Sequence, residues 1–302
     1  MKLVVTGGTG FTGEFVLRAL AARGIEPTVL VRSGSDRSRL TDLRVEFVEG
    51  DLGDTASMAR AFRGHDCLLN VASIGFGQGP DIVRCAVEAG IGRAVFTSTT
   101  AILTNLPVRT KPVREAAETA IRASPLRWTI VRPTMIYGTE RDRNVSRLLR
   151  WLRTWRVMGL PAGGRALQQP IHVADVANAL VTCLLTDSTA GRTYNISGRE
   201  PLTFRDMVIQ AARAVGVRPL LVPVPLAPVA AVAGVAERLH IPVRLRAEQL
   251  HRIAEDKAFP HDDAARDFGF SPRSFAEGVR QEAESLGLAV PPKVSSNRDA
   301  RP

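Results

Sequence analysis

A cluster of glycines near the start of the chain has the spacing of a phosphate-binding turn. The glycines are Gly7, Gly8, Gly10 and Gly13, which satisfy both G-x-x-G-x-x-G and G-x-G-x-x-G. They lie between a buried strand at 2–6 and an apolar helix at 15–20. Glycine lets the backbone approach a pyrophosphate, and the helix presents unpaired N–H groups and the positive end of its dipole. We therefore predict a dinucleotide site that includes Phe11 and Thr12, rather than an ordinary strand-to-helix turn.

The end of the second predicted strand, at 27–31, carries basic side chains. An NAD-specific site places Asp or Glu there to bind the ribose 2′-hydroxyl, whereas this chain has Arg32 and Ser33. A guanidinium fits a 2′-phosphate, and Arg37 could add a second contact. Asp36 is the only nearby acid and lies too far along the chain to reach the ribose. The pattern predicts NADP(H) in preference to NAD(H); the alternative is that Arg32 is one more solvated arginine.

Strands alternate with helices along the first half of the chain. The later strands are predicted at 45–48, 67–72, 94–98 and 128–131, and the helices between them at 55–62, 81–89 and 113–123. This spacing is typical of parallel strands whose connecting helices cover both faces of one sheet. We therefore predict an α/β fold with a doubly wound, Rossmann-like parallel sheet.

The pattern becomes irregular after Pro133. Residues 159–164 are typical of a flexible break, and helices are predicted at 173–185, 204–215, 227–239, 247–255 and 275–285. We expect a dinucleotide-binding domain at 1–170 and, interleaved with it, a smaller and mostly helical substrate-binding region at 171–288. Residues 289–302 are polar and proline-flanked, which indicates a disordered tail.

Composition limits the class of protein. The chain has 302 residues, 45% of them hydrophobic, and its formal charge of +10 comes almost entirely from arginine. Most arginines are scattered, which favours attraction of anionic small molecules over a nucleic-acid site, since that site needs a dense patch interleaved with aromatic residues. Met1 leads directly into the first strand, and prolines interrupt the apolar stretch at 220–236. We therefore expect neither a signal segment nor a membrane span.

The spacing of cysteine and histidine bears on the compartment and on metals. Cys67, Cys85 and Cys183 lie within apolar strand or helix patterns, with no Cys-x-x-Cys pair. Buried reduced thiols and a cytoplasmic location are expected. The five histidines show no ligand-like spacing, so we predict no metal site.

Six arginines follow a predicted helix at 141–156. The opposite face carries Val145, Leu148, Leu149 and Leu152. A solvated helix face is the simplest interpretation of this pattern. The alternatives are a phosphate-rich substrate, or a membrane surface with Trp151 and Trp155 as anchors. We predict that Asn144 and Arg165 contact a small, anionic substrate.

Short motifs spread over nearly the whole chain share one family resemblance. They are TGGTGFTG at 6–13, GDL at 50–52, TST at 97–99, RP and YG at 132–138, and PIHV and DVA at 170–177. Together they resemble the extended short-chain dehydrogenase/reductase family, in the branch that includes NAD(P)-dependent nucleotide-sugar epimerases and dehydratases. Downstream stretches resemble the atypical members of that branch.

The resemblance implies positions around both ligands. Asp51 and Leu52 would face the adenine, Val71, Ala72 and Ser73 would line the coenzyme, and Pro133, Thr134 and Met135 would hold the carboxamide end of the nicotinamide. Thr99 would occupy the hydroxyl position that hydrogen-bonds a substrate oxygen. We interpret His172 and Asp175 as residues that cap and orient a helix rather than act on the substrate.

One pair of positions departs from the family. Its acid/base is a tyrosine four residues before a lysine, and the lysine lowers the pKa of the phenol so that a proton can move with the hydride. Alignment back from Arg132 places Thr110 and Arg114 at these positions, and neither Tyr137 nor Tyr194 precedes a lysine at that spacing. Threonine is too weak an acid to replace tyrosine, so the usual proton route is excluded.

Thr99 and Lys111 are the candidate catalytic residues that remain. Lys111 stands beside the tyrosine position, and a buried lysine there could have a lowered pKa and act as an acid or polarise a carbonyl. It could equally be a solvated residue before Pro112.

Three functions stay open. The first is an NADP-dependent oxidoreductase or isomerase that acts by hydride transfer on a sugar-like or other small polar substrate. The second is a coenzyme-binding redox sensor or assembly partner without turnover, which the missing tyrosine favours. The third is a peripheral membrane enzyme that meets a lipid-linked substrate through the arginine helix.

Overall fold

A seven-stranded parallel sheet forms the centre of the computed structural model, which describes residues 1–106, 108–225 and 255–289. Its strands are β1 (Leu3–Thr6), β2 (Thr28–Val31), β3 (Glu46–Glu49), β4 (Cys67–Asn70), β5 (Arg93–Thr97), β6 (Arg127–Pro133) and β11 (Arg192–Ile196). They lie in the order β11-β6-β5-β4-β1-β2-β3, and every neighbouring pair is parallel. The predicted doubly wound, Rossmann-like α/β fold is confirmed.

Helices cover both faces of the sheet. They are α1 (Phe11–Ala21), α2 (Thr55–Phe62), α3 (Gly79–Glu88), α4 (Lys111–Ala123), α5 (Val145–Trp155), α6 (Val173–Leu185), α7 (Phe204–Ala214), α8 (Asp262–Phe268) and α9 (Phe275–Ser285). Val5 of β1 packs with α1 and α6 on one face, while its neighbour Val4 packs with α2, α3 and α4 on the other. Successive strand residues point to opposite faces, so a strand buried on both sides is apolar throughout.

Three short strand pairs and three helices form a second layer beyond the sheet. The pairs are β7 (Ile136–Tyr137) with β10 (Ile171–His172), β8 (Val157–Pro161) with β13 (Leu220–Val224), and β9 (Leu167–Gln168) with β12 (Leu202–Thr203). Their core joins Leu149 and Leu152 of α5 to Met207 of α7 and Val279 of α9. This layer closes over the carboxyl end of β6, beside the site described below.

Several element boundaries differ from the sequence predictions. Helix α1 begins at Phe11, four residues before the apolar pattern, because the glycine turn leads directly into it. The predicted break at 159–164 overlaps β8, since the partner β13 comes from more than 50 residues later in the sequence. The predicted helix at 227–239, all but the last residue of that at 247–255, and the predicted tail beyond residue 289 lie outside the described residues. The domain boundary at residue 170 stays a prediction.

Candidate functional site

A crevice opens at the carboxyl ends of β1 and β4, where the strand order reverses. From β1 the chain proceeds to β2 and β3 on one side, while β4 leads to β5 and β6 on the other. Open α/β sheets bind ligands at this switch point. A cavity of about 310 Å³ lies there, and we call it the nucleotide cavity. It is lined by Thr6, Gly7, Thr9, Gly10, Leu30, Val31, Arg32, Ser35, Gly50, Asp51, Leu52, Ala72, Ser73, Phe76 and Gln78.

The glycine turn fits a diphosphate. Gly7 has φ +72°, and a Cβ there would stand 2.6 Å from the backbone nitrogen of Ala72. Gly10 caps α1 without any side-chain hydrogen bond, and its N–H donates to the Gly7 carbonyl at 3.0 Å. A Cβ at Gly13 would overlap that same carbonyl oxygen, so only glycine lets α1 pack this closely on the turn. The helix N-terminus is therefore open to an anion.

Some of the predicted coenzyme residues support the turn rather than line the cavity. Gly8 packs against the side chain of Val29, and Gly13 lies beneath the turn. Phe11 is the first residue of α1, and its ring meets that of Phe15 edge-on with 6.4 Å between centroids. These contacts fix the position of α1 relative to the sheet.

The basic residues after β2 differ in their surroundings. Arg32 lines the nucleotide cavity, and no described carboxylate forms an ion pair with it. Arg37 instead pairs with Glu49 at 3.1 Å and lies over the ring of Phe47, 4.9 Å from its centroid. Ser33 is exposed and does not line the cavity, whereas Ser35 does. Arg32, and not Arg37, therefore lines the nucleotide cavity.

A second cavity of about 320 Å³ continues from the first through Ser73, and we call it the reaction cavity. It is lined by Thr12, Val71, Ser73, Ile74, Thr97, Ser98, Thr99, Arg114, Pro133, Thr134 and Ile136. The hydroxyl oxygen of Thr97 is buried and has no hydrogen-bond partner among the described residues. An amide such as the nicotinamide carboxamide could satisfy this atom, because it carries both a donor and an acceptor. The lining therefore fits the reactive end of a nicotinamide coenzyme.

Thr99 and Arg114 are the polar groups of the reaction cavity best suited to a carbonyl oxygen. The Thr99 hydroxyl oxygen accepts a hydrogen bond from the Ala101 N–H at 3.2 Å, which leaves its hydrogen available to donate. Arg114 donates to the Thr110 hydroxyl at 2.5 Å. A Cβ on Gly75 would stand 3.0 Å from the Arg114 Nε, so glycine there makes room for the guanidinium. Arg114 is a site residue that the sequence placed at the family's lysine position without giving it a role.

Lys111 lies at the start of α4 but does not line the reaction cavity. Its Nζ donates a hydrogen bond to the Thr104 carbonyl at 2.8 Å, in a partly buried position. This contact fastens the loop before α4 to the helix. Its catalytic role stays a prediction.

A buried carboxylate holds α4 against the sheet. Glu118 accepts from Ser98 at 2.7 Å and from Arg132 at 2.9 and 2.5 Å, and also pairs with Arg122. Burial opposes ionisation of Glu118, but the hydrogen bonds from Arg132, Ser98 and Arg122 nevertheless hold its pKa below the ordinary value. Arg114 lies one turn before Glu118 on α4, and Thr99 directly follows Ser98. The network therefore positions both polar groups of the reaction cavity.

A third and larger cavity, of about 590 Å³, is lined in part by Met135, two residues after β6. We call it the chain pocket; it is lined by Met135, Arg143, Asn144, Arg147, Leu148, Trp151, Met158, Gly159, Pro161, Gln168, Phe204, Met207 and Lys257. Met135 lines this pocket, whereas its sequence neighbours Thr134 and Ile136 line the reaction cavity. Asn144 lines this pocket, whereas Arg165 is exposed and is not in the lining; a substrate contact of either residue stays a prediction.

Two arginines at the chain pocket stand four residues apart. Arg143 and Arg147 form no ion pair with any described carboxylate, unlike Arg141 just before them, which pairs with Glu14 at 3.2 Å. Arg143 precedes α5 and Arg147 lies in its first turn, so the two like charges meet at this pocket and repel each other. An anion bound between the two guanidinium groups would remove that repulsion.

His172, Tyr137 and Tyr194 have structural surroundings. His172 caps α6 by accepting from the Ala174 N–H at 3.2 Å, and burial, with Arg273 nearby, lowers its pKa to about 4. Burial raises the pKa of both Tyr137 and Tyr194, and neither lines any of the three cavities. The Tyr194 hydroxyl donates to Asp267 at 2.8 Å. No tyrosine is placed to act as the acid.

Comparisons with known proteins agree with this geometry. A family model described as NAD(P)H-binding matches residues 7–187. The chain is 31% identical to the 2-alkyl-3-oxoalkanoate reductase of Stenotrophomonas maltophilia (strain K279a), over 93% of this chain and 98% of that protein. It is 33% identical to the (4-alkanoyl-5-oxo-2,5-dihydrofuran-3-yl)methyl phosphate reductase of Streptomyces griseus, over 72% of this chain and 75% of that one.

Among solved structures, the fold resembles the UDP-glucose 4-epimerase of Thermus thermophilus in complex with NAD. The TM-score is 0.73 at 22% identity, and the alignment covers 96% of this chain and 100% of that one. At this level of identity the likeness concerns the fold alone.

Proposed function

The chain belongs to the NAD(P)H-binding family and is an NAD(P)-dependent oxidoreductase-like enzyme, and we propose that it is an NADP(H)-preferring reductase of a ketone that carries an apolar chain and an anionic group. Family membership confirms the resemblance seen in the motifs. The observation that carries the proposal is the reaction cavity, where Thr99 and Arg114 line the same space as Thr12 and Thr134. Two hydrogen-bond donors for a carbonyl oxygen therefore share one space with the coenzyme residues.

The preference for NADP(H) is supported by Arg32. This guanidinium lines the nucleotide cavity directly after β2, where an NAD-specific site carries an acid, and no described carboxylate forms an ion pair with it. Asp51, the acid of the lining, accepts from the Gly53 N–H at 2.7 Å at the end of β3. A 2′-phosphate beside Arg32 would gain a charge-assisted hydrogen bond, while a 2′-hydroxyl would gain much less.

The chemistry divides between coenzyme and protein. When bound, the coenzyme supplies the hydride. The Thr99 hydroxyl orients the ketone by donating to its oxygen, and the Arg114 guanidinium stabilises the negative charge that develops there. Arginine keeps its proton at neutral pH, so the proton that completes the alcohol comes from solvent, through the Thr99 hydroxyl. Glu118 positions both residues without touching the substrate.

The nature of the substrate is supported by the chain pocket. Its walls are mainly Met, Trp, Leu, Phe and Pro side chains, and its size lies within the range of small-molecule sites. Arg143 and Arg147 provide two cations at the same pocket. The names of the two bacterial relatives describe substrates with an alkyl or alkanoyl chain, a carbonyl and a carboxylate or phosphate. A sugar-like substrate stays a prediction that this lining does not favour.

The compartment proposed is the cytoplasm. Cys67, Cys85 and Cys183 are free and buried, which suits a reducing environment. The proposed proton route, the preference for NADP(H) and the recognition of an anionic group all belong to the site formed by the three cavities.

The test is coenzyme oxidation by the purified chain with a panel of ketones. The panel holds 3-oxo acids of increasing chain length, their methyl esters, and a nucleoside-diphosphate sugar. The proposal expects turnover that improves with chain length and is faster with NADPH than with NADH. Turnover of the sugar alone would contradict the substrate class. Tight NADPH binding without turnover on any ketone would favour the alternative, a coenzyme-binding sensor or assembly partner.

A further inference from the structure

Exposed apolar side chains concentrate on one surface of the second layer. Of the ten large hydrophobic residues exposed in the described part of the chain, five lie there. They are Trp151, Trp155, Val157, Leu220 and Val222, which we call the tryptophan surface. Trp155 is 64% exposed and Leu220 is 65% exposed, so neither contributes to the protein core. Isolated exposed apolar residues need no explanation, but a contiguous set marks an interaction site.

The five residues lie next to one another. The rings of Trp151 and Trp155 lie 5.8 Å apart between centroids, and the Trp151 indole N–H donates to the Val157 carbonyl at 2.8 Å. Val157 pairs with Leu220 in the parallel β8–β13 ladder. Side chains two residues apart on a strand share a face, so Leu220 and Val222 point to the same side as Val157. The opposite face of β8 carries Leu160, which is buried.

Positive charge surrounds this apolar surface. Arg147, Arg150, Arg153 and Arg156 are exposed along α5 and at its end. Among the described residues no carboxylate pairs with any of the four, whereas arginines elsewhere, such as Arg18 and Arg84, do have acidic partners. The chain as a whole has a formal charge of +10. The partner of this surface should therefore be both apolar and anionic.

We propose that the tryptophan surface docks the protein on an anionic lipid bilayer. Tryptophan favours the membrane–water interface because its ring is apolar and its N–H is polar, and exposed arginines add attraction to anionic head groups. No helix in the described ranges is long and apolar enough to cross a bilayer. The proposed contact is one of exposed side chains with the bilayer surface. Trp151 also lines the chain pocket, and the docked face thus opens that pocket toward the lipid.

The experiment is sedimentation of the full chain with vesicles of phosphatidylcholine, with and without phosphatidylglycerol. Binding should require phosphatidylglycerol and weaken as salt is added, because exposed charges are screened. The double variant Arg150→Glu, Arg153→Glu should lower vesicle affinity at least about 20-fold, since each arginine near the surface contributes about fivefold. Trp155→Ser with Leu220→Ser should lower it by about tenfold or more through lost apolar burial.

Matched control variants make the same kinds of change, loss of an exposed leucine or reversal of two charges, away from the tryptophan surface. Leu185→Ser removes an exposed leucine at the end of α6, and Arg60→Glu with Arg63→Glu makes the same charge change on and just after α2. Both controls should bind vesicles like the wild type. The docking variants should oxidise coenzyme with a short-chain ketone at the wild-type rate, which keeps this proposal separate from the proposed reaction.

Three results would overturn the proposal. The first is no sedimentation with phosphatidylglycerol vesicles at low salt. The second is sedimentation that the docking variants do not change. The third is loss of a dimer in Trp155→Ser, Leu220→Ser without vesicle binding by the wild type, which would make this face an interface between two copies.

Discussion

Arg114 donates a hydrogen bond to the hydroxyl of Thr110, 2.5 Å away and one helical turn earlier on the chain. These are the two positions that the sequence assigns to the lysine and tyrosine of the resembled family. A guanidinium thus remains in the reaction cavity although the phenol is gone. In the proposed reaction this guanidinium stabilises charge on the ketone oxygen, and the proton comes from solvent rather than from a phenol.

Replacing Arg114 by methionine should remove that charge stabilisation. We expect kcat/KM for the ketone to fall by about 100-fold, the usual loss of one oxyanion donor, while the Kd of NADPH stays near the wild-type value. Arg114→Lys should retain part of the activity because it keeps the charge. Steady-state kinetics and coenzyme titration measure the two effects.

Lys111→Ala is the contrast for this variant. In the wild type, the Lys111 Nζ donates to the Thr104 carbonyl outside the reaction cavity. Removing it should therefore lower kcat/KM much less than Arg114→Met does. A larger loss in Lys111→Ala than in Arg114→Met would assign the acid to Lys111 and contradict the role given to Arg114.

Replacing Arg32 by alanine should change the coenzyme preference. Loss of one charge-assisted hydrogen bond should raise the Kd of NADPH by about tenfold or more and leave that of NADH nearly unchanged. Arg37→Ala is the control. The Arg37 guanidinium already contacts Glu49 and Phe47, so this substitution should raise the Kd of NADPH less than Arg32→Ala does. Equal losses for both coenzymes in Arg32→Ala would show that this residue supports the fold rather than the 2′-phosphate.

The paired arginines of the chain pocket should govern recognition of the anion. We expect Arg143→Gln, Arg147→Gln to raise KM for a 3-oxo acid by about tenfold or more, with little change for its methyl ester. Arg165→Gln, which alters an exposed arginine outside the pocket, should leave both values unchanged. If KM for acid and ester rises alike, the arginines shape the pocket without binding the carboxylate.

Glu282 on α9 should make stability depend on pH. Its side chain is fully buried, and burial, with the Asp142 carboxylate beside it, raises its pKa to about 10. The unfolded chain ionises this group near pH 4.5, so its contribution to stability is complete below that pH and is lost as the pH rises toward 10. Glu282→Gln cannot ionise, so its stability relative to the wild type should rise by about 1.4 kcal/mol per pH unit between about pH 5 and about pH 8.

Urea unfolding at several pH values measures this effect. The gap between wild type and Glu282→Gln should widen from about pH 5 to about pH 8. Glu284→Gln, an exposed glutamate on the same helix, should show no such trend. A constant gap would mean that Glu282 is ionised in the folded protein.

Local patterns sufficed for the fold and for the conformation of the glycine turn. The glycine turn depends on residues within one short segment, and the alternation of apolar strands and helices determines the parallel sheet. Strand β11 was not predicted, because a five-residue strand at the edge of the sheet is defined by its pairing with β6, more than 60 residues earlier.

Positions set by loops and by distant contacts could not be predicted from the sequence. Ser35 rather than Ser33 lines the nucleotide cavity, since the loop after β2 turns between them. Phe76 and Gln78 line the same cavity from the loop that follows β4. The apolar character of the chain pocket was also missed, because its walls come from β8, α5 and α7, which lie apart in the sequence.

The central claim is that the reaction cavity passes hydride from a nicotinamide coenzyme to a ketone. The direct measurement uses NADPH deuterated at C4 with a long-chain 3-oxo acid, and product analysis by NMR. The account predicts that deuterium reaches the new carbinol carbon from one face of the coenzyme only. The rate of ketone reduction should be about 100-fold lower in Arg114→Met. Failure of the chain to bind either coenzyme, or an alcohol product without deuterium whichever of the two C4 hydrogens is replaced, would contradict it.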